Sequence, residues 1–167
     1  MPIAPTLQRY LAAKDIQFDT ISHAPTASST GTAEVCRISG DRIAKGIVLR
    51  RDRGFMLAVL PASHHIRVSN LKEQFGDNVE MAKEADIERL FPDCAHGAVP
   101  PIGECYGLSI VVDESIEAQP DVYFEAGDHK TLLHLSQAQF AHLVAQAPHG
   151  RFSDKPPKST ETSVIWG

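Results

Sequence analysis

The segment Arg42-Ile43-Ala44-Lys45-Gly46-Ile47-Val48-Leu49-Arg50-Arg51-Asp52-Arg53-Gly54-Phe55-Met56-Leu57-Ala58-Val59-Leu60 decides the fold. Two apolar, β-rich runs flank a short charged turn ending in glycine, a pattern that reads as a β-hairpin. Lys45 is out of place in the first run. Strand side chains alternate between faces, so Lys45 shares a side with Ile43, Ile47 and Leu49. A lysine on an apolar face is costly unless it reaches water, a counter-charge or a ligand. Gly46 beside it removes a side chain and lets another backbone approach closely.

Upstream, Thr6 is placed to cap a short helix carrying Leu7, Tyr10 and Leu11 on one face. A strand over 17–22 follows, ended by His23-Ala24-Pro25, and then a loop leading to a short helix over 32–37. Downstream, Asn70 and Glu73 have capping-box spacing for a helix to Phe75. A short strand over 79–82 and a helix over 84–91, stopped by Pro92, come next. Residues 92–103, with Pro92, Gly97, Pro100, Pro101 and Gly103, break all periodicity. A loop of that length between confident elements points to function. Strands over 108–112, 122–126 and 132–135 lead to a helix from Ser136, capped with Gln139, to about Gln146. Hairpins and short helices without regular βαβ alternation indicate an α+β, mixed α/β domain. The polar stretch from Pro148 is expected to pack loosely, with Ile165 and Trp166 docking at its end.

The chain has 167 residues, 43% hydrophobic and 22% charged, which fits one globular domain and excludes fibrous and wholly disordered classes. No apolar run reaches the ~18–20 residues of a membrane span, and the N-terminus has no signal-peptide pattern. With three cysteines and no CxxC, a reducing, cytoplasmic setting is expected. Cys94 and His96 have no second cluster to complete a zinc site, so no metal is expected. There is no GxGxxG after a strand, no Walker loop and no GxSxG, which argues against dinucleotide, P-loop and common serine-esterase readings.

The net charge of −5 hides an asymmetry. Residues 37–53 hold six basic side chains against Asp41 and Asp52, giving +4, while residues 104–128 hold seven acids and no Lys or Arg, giving −7. The bland reading is two solvated surfaces. The sharper one is a local phosphate-binding patch, with Arg42, Arg50 and Arg51 as candidate RNA contacts.

Three stretches carry a resemblance: the strand around Lys45, the loop Gly97-Ala98-Val99-Pro100-Pro101-Ile102-Gly103, and Phe124-Glu125-Ala126-Gly127-Asp128-His129. With the early His23-Ala24-Pro25, they make residues 5–145 similar to the YbaK/prolyl-tRNA synthetase-associated editing domain family. The resemblance implies a mixed, partly barrel-like sheet flanked by short helices. It implies hydrolysis of mischarged aminoacyl-tRNA, most often a small amino acid such as alanine or cysteine on the tRNA for proline, with no metal or nucleotide cofactor. Lys45 then matches the functional lysine, Gly97 and Pro101 the GxxxP loop, and His129 a pocket histidine; His23 and Gly46 join the substrate-binding set. An editing domain over 1–147 and a polar tail over 148–167 are expected. The partners would be the tRNA acceptor end and an aminoacyl-tRNA synthetase, without a membrane.

The chemistry is consistent with these residues. An aminoacyl ester is already activated, so a placed water and donors aimed at the developing oxyanion suffice. Backbone N–H groups around Gly97 could donate, and Pro100 and Pro101 would stiffen the loop. Lys45 suits a terminal phosphate or the oxyanion better than base catalysis. The alternative is a non-catalytic module that binds tRNA or a synthetase through the same pocket.

Overall fold

The 42–60 segment folds as the expected hairpin. Ala44–Arg51 pairs antiparallel with Gly54–Pro61, in register from Ala44 opposite Pro61 to Arg51 opposite Gly54. Asp52 and Arg53 form the two-residue turn, and Gly54 carries the positive φ of +94° that closes it. The computed structural model describes residues 3–26, 28–76, 78–95 and 98–156. In chain order these form α1 (Pro5–Ala13), β1 (Asp19–Ser22), α2 (Ser29–Cys36), β2 (Ala44–Arg51), β3 (Gly54–Pro61), β4 (His65–Ile66), α3 (Val68–Phe75), β5 (Glu80–Met81) and α4 (Glu84–Leu90). They continue as β6 (Ser109–Asp113), α5 (Glu114–Glu117), β7 (Asp121–Glu125), β8 (Thr131–Ser136), α6 (Gln137–Leu143), β9 (His149–Gly150) and β10 (Ser153–Asp154).

The fold is α+β. A mixed five-stranded sheet runs β5-β2-β3-β6-β9, with β6 parallel to both β3 and β9. An antiparallel sheet runs β1-β8-β7, and β10 pairs with β4. The expected barrel-like character is not realised: among the described residues no sheet closes on itself. The two larger sheets are joined instead by a single parallel bridge, Ile43 to Tyr123. Twisted sheets that touch at one corner separate beyond it.

Both faces of the five-stranded sheet are buried, which is why Phe55–Leu60 reads as a continuous apolar run. On one side Ala44, Val59 and Val112 pack against Val122, Phe124 and Leu133 of the antiparallel sheet and against Leu7, Leu11 and Phe140 of α1 and α6. On the other, Leu49, Met56, Ala58 and Leu60 pack against Leu71 of α3 and Phe152. Burying Phe152 draws residues 148–154 into the fold through β9 and β10, so this part does not pack loosely. Ile165 and Trp166 lie outside the described residues.

Four helix ends differ from expectation, the first being α2, which starts at Ser29 instead of residue 32 because the Ser28 hydroxyl caps it by accepting from Gly31 N. Pro5 takes the first position of α1, so Thr6 lies inside the helix and its N–H donates to Asp93 Oδ2 at 2.9 Å instead of being capped locally. α3 starts at Val68, because Arg67, not Asn70, holds the extended conformation before it. α6 begins after Ser136, whose hydroxyl accepts from Gln139 N as expected, but ends at Leu143.

Candidate functional site

The site lies where β2 and β7 part. The bridge pairs Ile43 with Tyr123 in parallel, so two residues further on Lys45 and Glu125 come level on diverging strands. On its other edge β2 is covered toward its end, where β5 pairs with Leu49 and Arg50 and Ala82 N donates to Val48 O; the chain then turns into α4. The uncovered half of β2 faces a cavity of about 340 Å³, lined among others by Lys45, Gly46, Met81, Ile87, Val99 and Glu125.

Lys45 Nζ donates to the carbonyl of Ala62 at 3.4 Å and forms no ion pair among the described residues. Burial lowers its pKa from the usual lysine value. Gly46 is required by close packing. A Cβ there would stand 2.9 Å from Leu57 Cδ1 and 3.3 Å from Pro101 Cα. The loop thus lies against the strand beside the lysine, in a contact only glycine allows.

Three anchors hold that loop. Ala95 N donates to Gly127 O at 2.6 Å; Asp93 accepts from Thr6 N and, at 2.9 Å, from Tyr106 Oη; and Ala98, Pro100, Pro101 and Ile102 are buried. Burial raises the Asp93 pKa, but these hydrogen bonds outweigh it and leave the carboxyl below its ordinary value.

The opposite wall is a buried polar group. Thr32 Oγ1 donates to Glu125 Oε2 at 2.6 Å, and Thr26 Oγ1 stands 2.5 Å from Thr32 Oγ1. His23 Nδ1 lies 2.7 Å from Ala24 O, an acceptor only, so Nδ1 carries the proton. His23 Nε2 then faces Glu125 Oε1 at 3.4 Å, outside hydrogen-bond geometry, and both atoms are buried without a hydrogen-bond partner. Ser28 and Ser29, at the start of α2, complete this wall. Ser28 Oγ already accepts from Gly31 N as the helix cap.

Lys45, Gly46 and Pro101 are therefore brought together, and His23 stands behind Glu125. Gly97 lies outside the described residues. His129 sits in the β7–β8 turn with φ +63°, in a turn held by Asp128 accepting from Lys130 N and Thr131 N, and is not part of the cavity lining. The arginines do not form one patch. Arg42 precedes β2 and pairs with Asp121 at 3.4 Å, whereas Arg50 and Arg51 end the strand, ~20 Å or more away at ~3.3 Å per residue. Arg50 and Arg51 border a polar hollow with Lys72 and Glu80. A larger groove of about 590 Å³, between α1, β6 and α6, contains none of the expected site residues.

Glu125 and Thr32 were not singled out by sequence reasoning. The available signal was the one that marked Lys45: Glu125 is a charged residue within an apolar strand, between Phe124 and Ala126. Thr32 carried no comparable signal.

The profile of the aminoacyl-tRNA editing domain matches residues 23–143, which span both walls of the cavity and the loop between them. The chain belongs to the aminoacyl-tRNA editing domain family. Among solved structures, this editing domain is similar to one described as a candidate trans-editing enzyme for prolyl-tRNA synthetase, with 18% identity, TM-score 0.79, and coverage of 92% of this chain and 98% of that one. It is equally similar to the hypothetical protein APE2540, with 20% identity, TM-score 0.79, and coverage of 89% and 99%. A scaffold from an epitope-grafting design study matches with 18% identity, TM-score 0.79, and coverage of 90% and 97%. These likenesses establish the fold. No curated protein sequence matches the editing domain. No helix among its described residues is long and apolar enough to cross a membrane.

Proposed function

We propose that this editing domain hydrolyses the ester bond of mischarged aminoacyl-tRNA, acting in trans on a small amino acid such as alanine or cysteine carried by the tRNA for proline. The observation that carries the reading is the 340 Å³ cavity between Lys45 and Glu125, roofed by the loop that Gly46 admits. It lies near the small end of ligand sites, which run from ~300 Å³. That suits a terminal ribose with a short side chain, and a larger side chain would be rejected by volume.

Ser28, on the cavity lining, accepts a backbone N–H as a helix cap. Water is the attacking group in this reading. Lys45 supplies fixed positive charge to the terminal phosphate or the developing oxyanion in a site of restricted solvent, where charge acts strongly. Val99 of the loop lines the cavity, and oxyanion donors are proposed to come from this loop. Arg50, Arg51 and Lys72 are the proposed contacts for phosphates further along the acceptor end.

The test is a panel of labelled aminoacyl-tRNAs, with Lys45→Ala as control. Hydrolysis of a mischarged tRNA for proline, lost in the variant, is expected. Binding of tRNA with no hydrolysis of any pair would favour the non-catalytic module instead.

A further inference from the structure

The polar wall of the cavity has a use that ester hydrolysis alone does not require. We infer that Glu125 receives the α-ammonium group of the bound aminoacyl moiety, so that the cavity recognises a free amino terminus as well as side-chain size. The inference rests on the editing reading and adds the residue that orients the substrate.

The cavity is charged at two ends. Lys45 lies on the β2 wall with no carboxylate paired to it, and Glu125 lies on the β7 wall with only one of its two oxygens hydrogen-bonded. The side chain of Glu125 is 7% exposed and that of His23 1%. A carboxylate oxygen buried without a donor is a costly arrangement unless a ligand completes it. His23 completes it poorly: its Nδ1–H is committed to Ala24 O, and Nε2 stands at 3.4 Å, an ion-pair distance when the imidazole is charged but outside hydrogen-bond geometry. Glu125 is on the cavity lining, and its Oε1 is buried. A small shift of the Glu125 side chain would exchange the poor His23 contact at Oε1 for an ammonium donor, with the Thr32 hydroxyl following Oε2.

An aminoacyl-adenosine end has complementary charges: an ammonium on the amino acid and a phosphate on the far side of the ribose. Ammonium toward Glu125 and phosphate toward Lys45 is the only orientation that opposes unlike charges at both ends. It leaves the ester carbonyl between the strands, beneath the loop. Glu84, the other carboxylate on the lining, is exposed at the mouth, where water screens it. An N-acylated aminoacyl-tRNA lacks the ammonium and loses this anchor.

Two arms test this. In the first, hydrolysis of alanyl-tRNA and N-acetylalanyl-tRNA is compared in wild type and Glu125→Gln. In the second, binding of a non-hydrolysable 3′-alanylamido adenosine is compared with its 3′-propionylamido counterpart, which lacks only the amine. Loss of a charge-assisted contact predicts that Glu125→Gln weakens the amine-bearing ligand about 10- to 100-fold and leaves the propionyl ligand within about twofold. The preference for alanyl- over N-acetylalanyl-tRNA should fall by a similar factor. Equal weakening of both adenosine ligands, or an unchanged amine preference, would overturn the inference. If wild type hydrolyses no aminoacyl-tRNA at all, the editing proposal fails separately, and the binding arm still reports on Glu125.

Discussion

Lys45 and Glu125 stand level with each other, two residues past the bridge between Ile43 and Tyr123, on strands that have begun to part. Each is a charged side chain between apolar neighbours, and the two line opposite walls of one cavity without an ion pair between them. An ion pair would have closed the wedge. Their separation leaves both charges available to a ligand that carries the complementary ones.

Lys45→Met separates stability from activity. Burial depresses the Lys45 pKa in the folded state, so the unfolded chain binds this proton more tightly and charging the lysine opposes folding. The variant is expected to be more stable at pH 7, by on the order of 1 kcal/mol in urea unfolding. The wild type should recover this difference as pH rises toward the unfolded value near 10.5. Deacylation should fall by about 100-fold or more, as when a preorganised charge is removed. A destabilised variant with unchanged activity would contradict both expectations.

Gly46→Ala should act through the loop. The new methyl would press on Leu57, which the core holds, and on the backbone of Pro101. Overpacking of this kind costs about 1–3 kcal/mol. The activity lost should exceed what the unfolded fraction explains, measured as kcat/KM at a temperature where the variant is folded.

Gly127→Ala tests the loop's other anchor. Gly127 has φ +107° and its carbonyl accepts from Ala95 N; a Cβ there would approach that of Ala4 to 2.9 Å. Backbone strain alone is worth about 1–3 kcal/mol, so Tm should drop by several degrees. Gly54→Ala, also at positive φ but with open space around it, should cost less, and the difference between the two measures the packing contribution.

Salt dependence distinguishes the arginines. Arg42 is paired with Asp121, whereas Arg50 and Arg51 lie beside Lys72 at the far end of the hairpin. Replacing Arg50 with alanine should reduce the slope of log K against log salt for tRNA binding by about 0.7–0.9. Replacing Arg42 should change that slope less and cost at most about 1 kcal/mol of stability, as expected for a partly exposed pair.

The thiols should be slow to react in the folded state. Burial pushes Cys94 up to about 11 and Cys105 up to about 12, and also raises Cys36. Labelling with a thiol reagent at pH 8 should be much slower at Cys94 and Cys105 in the folded protein than in the unfolded chain. Rapid labelling of Cys94 in the native protein would show the loop to open readily.

Much of the local structure was legible. The hairpin follows from two apolar runs, a charged turn and Gly54, and the α6 start follows from Ser136 and Gln139, because these signals act within a few residues. The α1 cap was not legible, since its partner Asp93 lies 87 residues away. The strands β9 and β10 were also missed: each is two residues long, and they form because Phe152 fills a gap against α3 and the sheet.

The sequence by itself determined an α+β domain with a lysine in an apolar run and a glycine–proline loop downstream of it. Local periodicity and turn chemistry suffice for that. Only the tertiary structure decided that Lys45 and Glu125 share a cavity, that Pro101 backs Gly46, and that Arg42 stands apart from Arg50 and Arg51. Those relations depend on one parallel bridge between residues 80 positions apart and on how far two twisted sheets diverge beyond it. Strand register across such a distance is set by the packing of whole faces, which no short stretch of sequence encodes.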